Sequence, residues 1–194
     1  MRKPRSRRAL LTSMVGLSLG AAGCFESDLT SSESEESLES GVVPADEFDC
    51  DDVDRPDPSP PIRDEALEPA TYPTPPNPLL ESAGEYVRDF EAAYQHNAFL
   101  EEYGSETEEF EFDLEARDAK PVDAESDREA KLVSLVFDLT TKIRRTPEKS
   151  ERSIRVTYYV DEHIVLRARY SGLADEPTFD PNPRSAGGPV ACFH

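Results

Sequence analysis

Three histidines and three cysteines are the residues of this 194-residue chain best suited to catalysis or metal binding, and their spacing assembles neither. His96 falls in a helical pattern, with only Ala92, Ala93, Phe99 and Leu100 three or four positions away. His163 sits between two strand-like runs and reads as a turn residue, because His tolerates left-handed backbone better than most side chains. His194 ends the sequence. No Ser/His/Asp or Cys/His arrangement can be built from these positions. Two or three cysteines without spaced histidines do not make a zinc site either. Asp49, Asp51, Asp52, Asp54 and Asp57 are dense enough to attract Ca²⁺ or Mg²⁺ if their backbone is fixed. They lack the turn glycine and terminal glutamate of an EF-hand loop, so the run reads as a solvated linker. The expectation is a chain with no catalytic residues, no metal and no cofactor.

Arginine offers one further chemistry. Arg155, Arg167 and Arg169, joined by Lys142, Arg144 and Arg145, are the one basic patch of the α+β region in a chain of net charge −20. If the three arginines share an exposed sheet face, they form a candidate anion-binding face for an acidic glycan or a carboxylate-bearing surface protein. The ordinary alternative is a row of cross-strand ion pairs that keeps the face soluble. Nucleic acid is excluded as a partner by the lack of basic excess.

The elements that must position these residues are legible from periodicity. Leu79, Ala83, Tyr86, Phe90 and Tyr94 recur at helical spacing, with Asn77-Pro78 or a Ser82/Glu85 capping box as the start and Gly104 as the stop. After Gly104 the period becomes two. Phe110, Phe112, Leu114 and Ala116 point inward on a first strand, and Val133, Leu135, Phe137 and Leu139 on a second. Ile154, Val156, Tyr158 and Val160 do so on a third, and Ile164, Leu166, Ala168 and Tyr170 on a fourth. A three-residue loop at Asp161, Glu162 and His163 keeps the last two rows facing each other, whereas a two-residue turn at Asp161-Glu162 mixes arginine into the buried side. Residues 189–193 can add a short edge strand held by Cys192. The predicted fold is α+β: one N-terminal helix on a four-stranded antiparallel meander, or a five-stranded one with that edge.

This pattern, over about 118 residues, resembles the cystatin-like architecture that includes nuclear-transport-factor-2-like domains. Some members of that group hold a ligand or active site in the cone between helix and sheet, lined by Asp, His, Arg and Tyr. The resemblance therefore carries one alternative function, a small hydrolase or isomerase with a cone-shaped pocket. The inward positions assigned above are apolar apart from Tyr86, Tyr94, Tyr158 and Tyr170, a departure that favours a non-enzymatic domain.

The first 24 residues read as an address. A basic stretch precedes a moderately apolar run over residues 9–22, too short to span a bilayer. Ser6-Arg7-Arg8-Ala9-Leu10-Leu11 resembles a twin-arginine export signal, with Arg7 and Arg8 as its pair, and Ala21-Ala22-Gly23-Cys24 resembles the lipobox of secreted lipoproteins. The resemblance departs from the usual pattern at Ala21, where Leu is commoner, and at Leu10 and Thr12. It implies that Cys24 becomes a lipid-carrying N-terminus, anchored by two chains to the outer face of the cytoplasmic membrane. With Cys24 lipidated, Cys50 and Cys192 remain as an even pair in an oxidising compartment and are expected to be bonded.

Removing residues 1–23 takes away five of the 21 basic residues and none of the 41 acidic ones, for a net charge of −25. Such self-repulsion is tolerable where salt shortens the Debye length, to about 3 Å at 1 M. With lysine scarce and tryptophan absent, the composition resembles that of haloarchaeal proteins. Residues 24–76, rich first in Ser and Glu and then in Pro, are expected to form a disordered acidic tether ahead of a domain at 77–194. The expected protein is a cell-surface lipoprotein whose domain serves binding or envelope-accessory ends.

Overall fold

The computed structural model describes residues 41–44, 46–62, 66–123, 128–146 and 148–193. Arg7, Arg8, Cys24 and the Ser/Glu-rich part of the expected tether lie outside these residues. The architecture is α+β, with one main helix packed on a five-stranded antiparallel sheet in the order β1-β2-β3-β4-β5. Helix α1 spans Ala83–Tyr103, and the strands are β1 (Thr107–Pro121), β2 (Ala130–Ile143), β3 (Ser150–Asp161), β4 (Ile164–Arg169) and β5 (Gly188–Cys192). A single turn of helix, α2 (Pro183–Ala186), precedes β5.

Helix α1 begins later than Asn77-Pro78 allows. Ser82 is its N-cap without a side-chain cap bond, and Gly104, at φ 52°, ends it in a conformation that glycine alone adopts without strain. Its buried stripe of Ala83, Tyr86, Val87 and Phe90 meets Val133, Leu135, Phe137, Leu139, Ile154, Val156, Tyr158 and Val160 from the sheet. The inward rows of β2 and β3 are therefore as their alternation implies.

Two rows depart from expectation. In β1 a register shift between Leu114 and Ala116 turns Ala116 to the opposite face, where it pairs with Val136, and brings Arg117 opposite Leu135. The Arg117 side chain consequently lies over Gly84, 3.4 Å from where a Cβ would stand. In the β3-β4 hairpin the loop is Glu162-His163 alone, and Val160 faces Val165, Tyr158 faces Arg167 and Val156 faces Arg169. The three-residue loop is corrected by one position. A one-residue slip exchanges faces, so Ile164 and Leu166 leave the helix side and join Val43, Ala130, Leu132 and Tyr159 in a second core on the other side of the sheet. The turn is held by Asp161, whose Oδ1 accepts the N–H groups of His163 and Ile164 at 2.8 Å each. His163 is thus a turn residue, though not in the bulge position expected for it.

Described residues of the stretch expected as tether make contacts with the α+β unit. Val43 is 1% exposed, its N–H donates to Tyr159 Oη at 3.0 Å and its carbonyl accepts from Arg128 at 3.0 Å. Cys50 and Cys192 are disulfide-bonded, with Cα atoms 5.8 Å apart, and Asp54 N–H donates to Pro189 O beside them. Further along, Asn97 on α1 both donates to Ala70 O (2.9 Å) and accepts from Ala70 N–H (2.8 Å). Tyr72 donates to Pro56 O and sets its ring 4.9 Å from Phe90. Proline cannot donate to a ladder, but it lies readily as an extended layer. The Pro-rich stretch thus packs along the flank of α1 that carries Phe90 and Asn97.

Candidate functional site

The polar groups that converge inside the domain are Glu91, Tyr94 and Gln95 from α1, Tyr158 from β3 and Arg167 from β4. Glu91 is 0% exposed. It sits four residues after Val87 and three before Tyr94, on the edge of the buried helical stripe. The hairpin register then delivers Arg167 directly beside Tyr158. Arg167 Nε and Nη2 reach Glu91 Oε2 and Oε1 at 2.8 Å each, a bidentate pair. Tyr158 donates its hydroxyl to Glu91 Oε2, and Gln95 Nε2 donates to Oε1 at 2.6 Å. The Arg167 guanidinium also lies 4.2 Å from the centre of the Tyr94 ring.

Electrostatics follow from this burial. Desolvation is the largest influence on Tyr158 and pushes its phenol well above the ordinary value, with the Glu91 charge adding to it. Desolvation also acts on Arg167 against its charge, but Glu91 outweighs it and holds the guanidinium more firmly protonated than usual. Tyr94 is raised by burial, opposed by Arg167. A carboxylate has about four lone-pair positions, and Glu91 receives four donors: two from Arg167 and one each from Tyr158 and Gln95. It is fully spoken for.

Arg155, Arg167 and Arg169 do not form one face. Arg155 belongs to the far side of the sheet, 8% exposed, donating to Asp180 O (3.1 Å) and Glu176 O (3.4 Å) with its guanidinium 3.7 Å from the centre of the Tyr170 ring. Arg167 points into the interior, and only Arg169 is exposed. The anion-binding face is corrected on this register. Lys142 pairs with Glu108 across β1 and β2 at 2.7 Å, and Arg145 with Glu106 just beyond the strand ends at 3.2 Å, the ordinary use of surface charge.

The two described histidines, His96 and His163, make backbone and ring contacts. His96 Nε2 lies 2.9 Å from Glu68 O, with its ring 4.8 Å from that of Phe110. Among the aspartates flanking Cys50, Asp49 accepts the N–H of Asp51 at 2.9 Å and starts a turn of 3-10 helix over Cys50–Asp52.

The interior cluster was missed from sequence because charge was equated with exposure. The stripe position of Glu91 was a usable sign, as was the opposition of arginine to the inward row in any tight β3-β4 turn. Comparison with known proteins adds nothing to the geometry: no family model, curated protein or solved structure matches the chain.

Proposed function

We propose that this chain is a lipid-anchored protein of the outer face of the cytoplasmic membrane whose α+β domain is a binding or envelope-accessory module, not an enzyme. The observation that carries the non-enzymatic reading is the saturation of Glu91. A general acid or base needs a lone pair or proton directed at substrate, and here every acceptor position of Glu91, among the described residues the one fully buried carboxylate of the helix-sheet interior, is taken by a neighbour on the same domain. The address rests on Arg7-Arg8 and on the lipobox-like Ala21-Ala22-Gly23-Cys24, and the Cys50 to Cys192 bond fits the oxidising compartment that address implies. The partner is a surface protein or small solute. An anionic glycan is not retained, because its arginine face is dispersed.

Expressing the chain in a haloarchaeal host beside a Cys24→Ser variant tests the anchor. The unaltered chain is expected in the membrane fraction, accessible to protease added to whole cells, and the variant in the medium. Equal retention of both would end the lipoprotein reading.

The convergence of Glu91, Tyr158, Arg167 and Tyr94 favours the second reading, a cone-pocket hydrolase or isomerase, because Arg and Tyr are among the residue types such pockets use, with Glu91 standing as the carboxylate in place of Asp. The two readings differ in access. A closed cluster predicts slow solvent exchange of the Arg167 Nε–H by ¹⁵N NMR, whereas rapid exchange would favour the enzyme.

A further inference from the structure

At the end of the domain where α1 begins, a hollow of about 370 Å³ is lined by Pro75, Pro76, Asn77, Pro78, Leu79, Leu80 and Phe193, with Glu81, Glu129 and Glu162 among its lining residues. Its size is that of a small-molecule site. Four separate pieces of chain meet there: the segment before α1, the approach to β2, the β3-β4 turn and the end of β5. Phe193 is fixed by its ring contact with Tyr86 at 6.2 Å and by its N–H bond to His163 O at 2.8 Å. One wall is therefore anchored to both core and turn.

The chemistry of the wall is one-sided. Pro75, Pro76 and Pro78 contribute carbonyls and no N–H, and the three glutamates are acceptors only. All three carboxylates are exposed, and no salt bridge involves any of them among the described residues. The aromatic face of Phe193 carries the negative side of its quadrupole. Leu79 and Leu80 supply apolar area. An anion would meet repulsion and few donors, and a neutral polar ligand would find acceptors almost alone. A bare metal ion would gain nothing from the prolines and leucines. What complements an apolar, donor-poor concavity with carboxylates around it is a cation wearing hydrocarbon.

We propose that this hollow binds a small organic ammonium ion, its alkyl groups against Leu79, Leu80 and Phe193 and its charge facing Glu81, Glu129 and Glu162. The assignment deepens the binding-module reading and rests on it, but it does not depend on the lipid anchor.

The test is titration of the full chain with choline, using 3,3-dimethylbutan-1-ol as the neutral isostere and hexanoate as the anionic control, followed by calorimetry and by amide shifts in NMR. Choline should bind about tenfold more tightly than the neutral isostere, with shifts centred on Leu79, Leu80, Glu81, Glu162 and Phe193, and hexanoate should not bind. Glu129→Gln with Glu162→Gln, both at exposed positions, should weaken choline about tenfold and leave the thermal midpoint unchanged. Phe193→Leu, which keeps apolar volume and removes the ring, should weaken choline more than the neutral isostere. Equal affinity for choline and its isostere, shifts spread over the whole acidic surface, or indifference to the double Gln change would overturn the proposal. Failure here with Cys24→Ser still releasing the protein removes the ligand and leaves the surface reading intact.

Discussion

Glu91 and Arg167 carry most of what is specific to this interior. A buried ion pair is strongly destabilising to break, by about 3–5 kcal/mol, because the survivor is left charged and unsolvated. Glu91→Gln should lower unfolding free energy by about that amount in urea titration. Replacing the whole group, as Glu91→Leu with Arg167→Met and Tyr158→Phe, should recover most of the loss, since well-packed hydrophobic replacements of buried pairs are often neutral. Recovery would mark the cluster as a device for register, and its absence would show that the pair contributes stability of its own. The tyrosines give a second check. Burial pushes Tyr72 and Tyr86 up to about 12, and raises Tyr158 well above its ordinary value. Unfolded phenols ionise near 10, so above that pH the unfolded chain binds fewer protons than the folded one. Stability should be unaffected by these groups below about pH 10 and fall as pH rises toward 12. The native protein should show only part of its tyrosinate absorbance at pH 11, with the rest appearing on unfolding. Full ionisation without unfolding would contradict the burial described.

At the scale of elements, periodicity was readable where apolar and polar residues alternate along the sequence. The α1 stripe and the inward rows of β2 and β3 are of this kind, although both faces of these two strands are largely covered. It failed where the outward residues are apolar as well. Ile164, Val165 and Leu166 are all buried, so β4 has no alternation to read, and the register was chosen to keep Arg167 out of the core that it in fact enters. It failed too in the stretch before α1, since Ser/Glu/Pro composition says nothing of Asn97 clasping Ala70 or Tyr159 accepting from Val43. Gly187 tests the β4-β5 edge. A Cβ there would stand 2.4 Å from Pro183 O and 2.8 Å from Arg167 O, both backbone atoms. Gly187→Ala should therefore cost about 1–3 kcal/mol, with faster hydrogen exchange across β5, whereas Gly188→Ala, which meets nothing within 4 Å, should leave that edge protected.

For the whole molecule, the disulfide joins residues 142 apart in sequence and fastens the covering segment to the last strand. In the chain-entropy model a loop of that length stabilises by about 4–5 kcal/mol. Reduction should lower the thermal midpoint and release the Asp54 N–H from Pro189 O, leaving α1 and β2-β3 as the most protected core. An unchanged midpoint would mean that the covering segment holds without the bond. The acidic surface should make folding depend on salt, through screening of the net charge. The measurement that bears most directly on the account is intact and peptide mass spectrometry of the protein from membranes of its native host, with and without reduction. A mature chain that begins at a lipid-modified Cys24, with Cys50 and Cys192 in one linked peptide before reduction and two after, is the predicted result. An unprocessed N-terminus, or an unmodified thiol at Cys24, would contradict it.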